Sequence, residues 1–105
     1  MASRNSWRKV GGKPRSINVI GRRWFQRTYG NTYHTAAIYV DGKCVHKTPQ
    51  QYGYGDQYAW TAREWLQANG YLPGIESHDA LWRYCQEHKI TFQGEVIDVQ
   101  REKDL

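Results

Sequence analysis

The dipeptide Asp41-Gly42 lies between two runs of strand-forming residues, 32–40 (TYHTAAIYV) and 43–48 (KCVHKT). A two-residue hairpin turn needs positive φ at both central positions, and Asp-Gly is among the few pairs that tolerate it. The flanking runs are therefore predicted to pair antiparallel, the second ending at Pro49, which has no N–H for a ladder. Upstream, residues 22–28 (RRWFQRT) reach the same hairpin through Tyr29-Gly30-Asn31, a second turn signal. The three runs predict a meander. With Asp41-Gly42 at the tip, Val40 opposes Lys43, Tyr39 opposes Cys44 and Ile38 opposes Val45. Alternation then places Phe25, Ile38, Val40 and Val45 on one face. Trp24, Tyr33, Ala37, Tyr39, Cys44 and His46 fall on the other.

The texture then becomes helical. Gly53 and Gly55 punctuate an aromatic loop, and Asp56 is placed to cap a helix. Tyr58, Ala62, Trp65 and Leu66 share one face of that helix, which Asn69-Gly70 ends. Ser77 is predicted to cap a second helix, on which Leu81, Tyr84, Cys85 and His88 share a face. A last strand spans residues 90–99, and the closing ArgGluLysAspLeu reads as solvated. This order predicts an α+β fold: a three-stranded antiparallel meander, two helices and a C-terminal strand, in a two-layer sandwich with helices on one sheet face. Residues 1–16 read as a flexible basic arm ahead of a single domain, 17–105. Aromatic residues make up 14% of the chain while all hydrophobics reach only 39%. That balance predicts a core built on rings rather than on Leu and Val.

Charge is segregated. The first thirty residues carry eight Arg or Lys and no Asp or Glu, against a net charge of +5, which leaves −3 for residues 31–105. A one-sided basic segment attracts phosphate by steering and counterion release. Arg4, Arg8, Lys9, Lys13, Arg15, Arg22, Arg23 and Arg27 are the candidate phosphate contacts. Trp24 lies among them, and flat rings stack on bases. Tyr33, Tyr39, Tyr52, Tyr54 and Tyr58 are candidate partner or ligand anchors, of the kind that dominate interfaces. Arg22, Arg23 and Arg27 sit on a predicted strand, where geometry is fixed, so a specific role falls to them.

Other chemistries have weaker support. Cys44, His46, Cys85 and His88 could together supply four tetrahedral zinc ligands. Their spacing matches no standard finger, and buried thiols with a satisfied His are the commoner arrangement, so no metal or other cofactor is expected. Neither phosphate-loop pattern, G-x-x-x-x-G-K-[ST] or G-x-G-x-x-G, is present. No nucleophile is spaced from His34, His46, His78 or His88 as in a known hydrolase, so a non-enzymatic protein is expected. No apolar run approaches a membrane span and the first residues lack the apolar stretch of a secretory signal, so the expected location is the cytoplasm.

The stretch RRWFQRTYGNTYHTAAIYVDGK, followed by YGYGDQY and the closing DVQREKDL, resembles a group of small proteins encoded by bacteriophages and bacterial mobile elements. The likeness covers about residues 20–70 and the last eight residues. It carries over no site residue. It implies expression inside a bacterial host and an accessory role, such as blocking a host enzyme or defence complex by binding. The leading expectation is a protein that binds nucleic acid or a host nucleic-acid-handling complex. Alternatives are a protein-only inhibitor of a host enzyme or defence system, and a binder of small nucleotides. An open sheet face or free edge is also compatible with a homodimer.

Overall fold

The computed structural model describes residues 14–105. Arg4, Arg8, Lys9 and Lys13 lie outside the described residues. The elements are β1 (Ser16–Gln26), β2 (Asn31–Val40), β3 (Lys43–Lys47), β4 (Gln51–Tyr52), α1 (Gln57–Ala68), α2 (Leu81–Glu87) and β5 (Thr91–Val99), followed by a short 3-10 turn (Glu102–Asp104). The fold is α+β. Its five-stranded sheet is ordered β3-β2-β1-β5, with β4 pairing β2 on the same side as β3.

The central hairpin forms at Asp41 (φ 51°) and Gly42 (φ 82°), as that dipeptide dictates. Asp41 does more than turn. Its Oδ1 accepts from the backbone N–H of Arg15 and Ser16. Those bonds tie down the start of β1, so the strand begins at Ser16 and Pro14 is buried, which moves the boundary of the folded part toward the N-terminus. The β1–β2 register pairs Ile17 with Val40, Val19 with Ile38 and Arg23 with His34. One face of the hairpin thus presents Ile17, Val19, Ala36, Ile38 and Val40 to the helices.

The meander carries a β-bulge, with the β2–β3 register shifting between Ile38 and Tyr39. Ile38 consequently opposes His46 rather than Val45. The extra residue turns His46 onto the helix side, where its ring stacks on Trp65 at 4.6 Å and 4°. Cys44 stays opposite Tyr39, as the turn predicts.

The sheet is mixed, because β5 lies parallel to β1. The two helices carry the chain back across one face, so β5 enters from the same end as β1. The core joins the sheet residues above to Tyr58, Ala62 and Leu66 of α1, Leu81, Tyr84 and Cys85 of α2, and Leu72 and Ile90. Each such large aliphatic side chain contributes about 1.5–3 kcal/mol. The core is thus mainly aliphatic, with Tyr58 and Tyr84 its only buried Phe, Tyr or Trp rings among the described residues. Trp24, Trp60, Trp65 and Trp82 all stay partly or largely exposed, because an indole rarely fits whole inside so small a domain. Tyr58 is accommodated by Gly21, where even a Cβ would come within 2.5 Å of its ring.

The helix starts depart from the predicted caps. Asp56 precedes α1 at φ −92° and ψ 16° without a side-chain cap bond, since a capping residue needs extended backbone. Ser77 caps nothing; α2 starts at Leu81. Arg63, buried on α1, organises residues 76–79 instead. Its Nη2 donates to the Glu76 carbonyl and its Nε to the Asp79 carbonyl. The closing residues are not free in solvent either. They lie against the sheet face opposite the helices, where Arg22 donates to the Asp104 carbonyl (3.1 Å) and Lys47 to that of Leu105 (3.2 Å). Gln50 donates to the Glu102 carboxylate (3.1 Å). Thr35, next to Arg22 on that face, is only 5% exposed.

Candidate nucleic-acid interface

Parallel strands end on the same side, so β1 and β5 deliver their carboxyl ends together, and clefts form outside such ends. A cleft of about 780 Å³ lies there. Its walls are the end of β1 and its turn (Arg23, Trp24, Phe25, Arg27), the end of β5 (Asp98, Val99) and the loop before α1 (Tyr54, Gly55).

Arg23 holds these three walls together. Its Nε and Nη2 donate to the two Asp98 oxygens (2.8 and 3.1 Å), and its Nη1 donates to the Gly55 carbonyl (3.1 Å). The bond to Asp98 raises the Arg23 pKa, against the opposing pull of burial. The pair is bidentate but partly solvated, so it orients more than it stabilises. Arg27 has a different role. It projects from the turn after β1, is exposed, and makes no ion pair among the described residues. Phe25 (54% exposed) and Tyr54 (71%) add open rings.

A row of rings runs beside this cleft across three neighbouring strands. Trp24 on β1 stacks on Tyr33 of β2 (centroids 6.0 Å apart, 25° between planes). Tyr33 meets Tyr52 of β4 edge to face at 6.0 Å and 76°. Trp24 and Tyr33 are directly paired, so alternation puts both on the face away from the helices. Arg22 lies on the same face, engaged with the Asp104 carbonyl.

The remaining sequence candidates are scattered. Arg15 sits at the opposite end of β1, about 25 Å from Arg23 by strand rise. Tyr39 shares the open face but lies toward the Asp41-Gly42 tip. Tyr58 is buried under the sheet rather than exposed for a partner, and burial raises its pKa. The four residues weighed for zinc do not converge. Cys44 is exposed on the open face, His46 is turned to the helix side, and Cys85 is buried, its thiol pushed up to about 11 by burial. His88 stacks on Tyr84. Among the described residues no three His, Cys, Asp or Glu side chains cluster as metal ligands. No helix there is long and apolar enough to cross a membrane.

Two polar residues have structural roles that the sequence does not reveal, His34 being weighed there only as a possible base. His34 is buried, its Nε2 2.8 Å from the Thr61 hydroxyl and its Nδ1 without a hydrogen-bond partner among the described residues. Burial lowers its pKa, partly offset by the Gly53 backbone. Its position two residues before Ala36 and four before Ile38 was the available signal. Arg63 had only its place beside Ala62 in the helix. No protein-family model, curated protein or solved structure matches this chain.

Proposed function

We propose that the protein is a non-enzymatic binder of single-stranded nucleic acid, acting as an accessory protein of a phage or mobile element in the cytoplasm of a bacterial host. The observation that carries this reading is the contiguity of the Trp24–Tyr33–Tyr52 row with the cleft that bears Arg27, Phe25 and Tyr54. Rings spaced over adjacent strands can stack unpaired bases, each contributing about 1–3 kcal/mol without sequence preference. Arg27 and the basic segment before β1 would neutralise phosphates. Arg23 serves as a scaffold, because Asp98 already occupies its fork. A duplex buries its base faces and would gain only the electrostatic part.

Fluorescence anisotropy with labelled single-stranded DNA, single-stranded RNA and duplex DNA tests this. Single strands should bind more tightly than duplex at equal salt, and log K should fall linearly with log salt. Absence of binding to every oligonucleotide at low salt would falsify the reading. A bacterial-lysate pull-down, with and without nuclease, gives a second check. Partners lost on nuclease treatment support it, and partners retained favour a protein-only inhibitor.

A further inference from the structure

We propose that the free edge of β5 docks an extended peptide of a partner protein, an apolar residue flanked by Lys or Arg, which adds as one more strand and seats its apolar side chain in the groove between Trp60, Trp82 and Phe92. This inference is independent of nucleic-acid binding, which uses other residues.

The backbone sets the geometry. β5 is last in the sheet order and, among the described residues, is paired on one side only, with β1. The Thr91 N–H donates to the Arg15 carbonyl, so Thr91 faces β1. Alternation then turns the N–H and C=O groups of Phe92, Gly94, Val96 and Asp98 outward. Among the described residues none of those four makes a backbone bond on that side. Exposed edges are usually blunted by bulges, Pro or Lys. The opposite edge has all three, in the β3 bulge, Pro49, Lys43 and Lys47. β5 runs nine residues in unbroken register with no Pro, Lys or Arg.

The side chains set the chemistry. A groove of about 320 Å³ opens beside this edge, lined by Trp60, Trp82, Leu81, Phe92 and Gly94. Trp82 is 55% exposed and Trp60 39%. The guanidinium of Arg63 lies 4.6 Å from the Trp60 ring and that of Arg83 5.7 Å from the Trp82 ring, which helps hold both indoles in place. Gly94 leaves the strip open between this groove and the recess lined by Glu95 on the other side of the strand. Asp56 stands at the groove and Glu95 on the strand, and neither carboxylate has an ion-pair partner among the described residues. Residues next to the apolar one project to the opposite face of the added strand, where a Lys or Arg meets Glu95, while Asp56 adds negative potential at the groove itself. A second copy of this chain fits less well, because its own β5 carries no Lys or Arg to meet these carboxylates. The recognition mode is strand addition, with main-chain bonds for affinity and a pocket for specificity.

The test uses the full chain and a nine-residue synthetic peptide alternating Lys with Val and Leu. Titration should show saturable one-to-one binding. Amide exchange at Gly94, Val96 and Asp98 should slow at least tenfold in the complex. Trp82→Ala should weaken binding at least tenfold without loss of folding, as judged by circular dichroism, and Glu95→Lys should weaken it several-fold. Equal binding by a peptide with alternate backbone N-methylation overturns strand addition. Equal binding by the Glu-for-Lys peptide overturns the charge argument. Binding that appears only after removal of residues 1–13 makes this chain's own basic segment the occupant. Concentration-dependent self-association abolished by Val96→Pro makes it a second copy. Either of the last two results overturns the proposal.

Discussion

His34 is an imidazole enclosed between the sheet and α1, with one nitrogen on Thr61 and no hydrogen-bond partner for the other among the described residues. Burial holds its pKa below the ordinary 6.5. The unfolded chain therefore takes up a proton at a pH where the folded chain does not. Well above pH 6.5 both forms are neutral and the fold loses nothing. As pH falls below that value stability declines, by up to about 1.4 kcal/mol per pH unit for a single proton, until the folded His34 itself titrates. Urea unfolding at pH 7.5, 6.5 and 5.5 should show this decline, and His34→Gln should flatten it. A wild-type curve no steeper than the variant's would remove His34 as the cause. The strand's alternation placed His34 in line with Ala36 and Ile38. What sequence could not supply was Thr61, whose contact depends on how α1 crosses the sheet.

At the scale of elements, local chemistry was legible and long-range pairing was not. The hairpin at Asp41-Gly42 and the end of α1 at Asn69-Gly70 follow from short-range backbone demands, and both occur where read. The displacement of His46 depends on a bulge, for which 43–48 carries no distinguishing residue. The start of α2 was misplaced for a related reason. Ser77 has the right chemistry for a cap, but Arg63, fourteen residues earlier, fixes the backbone at Glu76 and Asp79 in another shape. Arg63→Lys keeps the charge yet cannot reach both carbonyls with one ammonium. It should cost about 1.5–3 kcal/mol, the scale of a buried charge-assisted hydrogen bond. Amide exchange should accelerate first at the Asp79 and Tyr84 N–H groups. Uniform acceleration across the sheet instead would mean that Arg63 supports the whole fold rather than this connection.

For the molecule as a whole, rings and charges lie on separable parts of the proposed interface, so their contributions should separate in solution. Trp24→Ala should weaken single-strand binding by about 1–3 kcal/mol and leave the salt slope unchanged. Arg27→Ala should lower that slope by roughly 1. Removing residues 1–13, with their four cations, should lower it by about 3 while retaining the preference for single strands over duplex. If the preference disappears with that segment, the ring row is not the reader. The clustering of positive charge was visible in the sequence. The arrangement that divides it was not: Asp98 engages Arg23, the closing residues engage Arg22, and Arg27 is left facing the cleft.

The parallel pairing of β1 with β5 also bears on biosynthesis. The β1–β2–β3 hairpins are local and can form soon after they leave the ribosome. Strand β5 is synthesised some seventy residues after β1. At about 5–20 residues per second, β1 therefore waits roughly 4–15 s with one side of its backbone unpaired. During that interval its SINVIG stretch is an open edge, flanked downstream by Arg22 and Arg23. Charges in that position hinder intermolecular pairing. The arginines of β1 thus help keep the nascent chain apart from its neighbours, whatever they later contact in the folded protein.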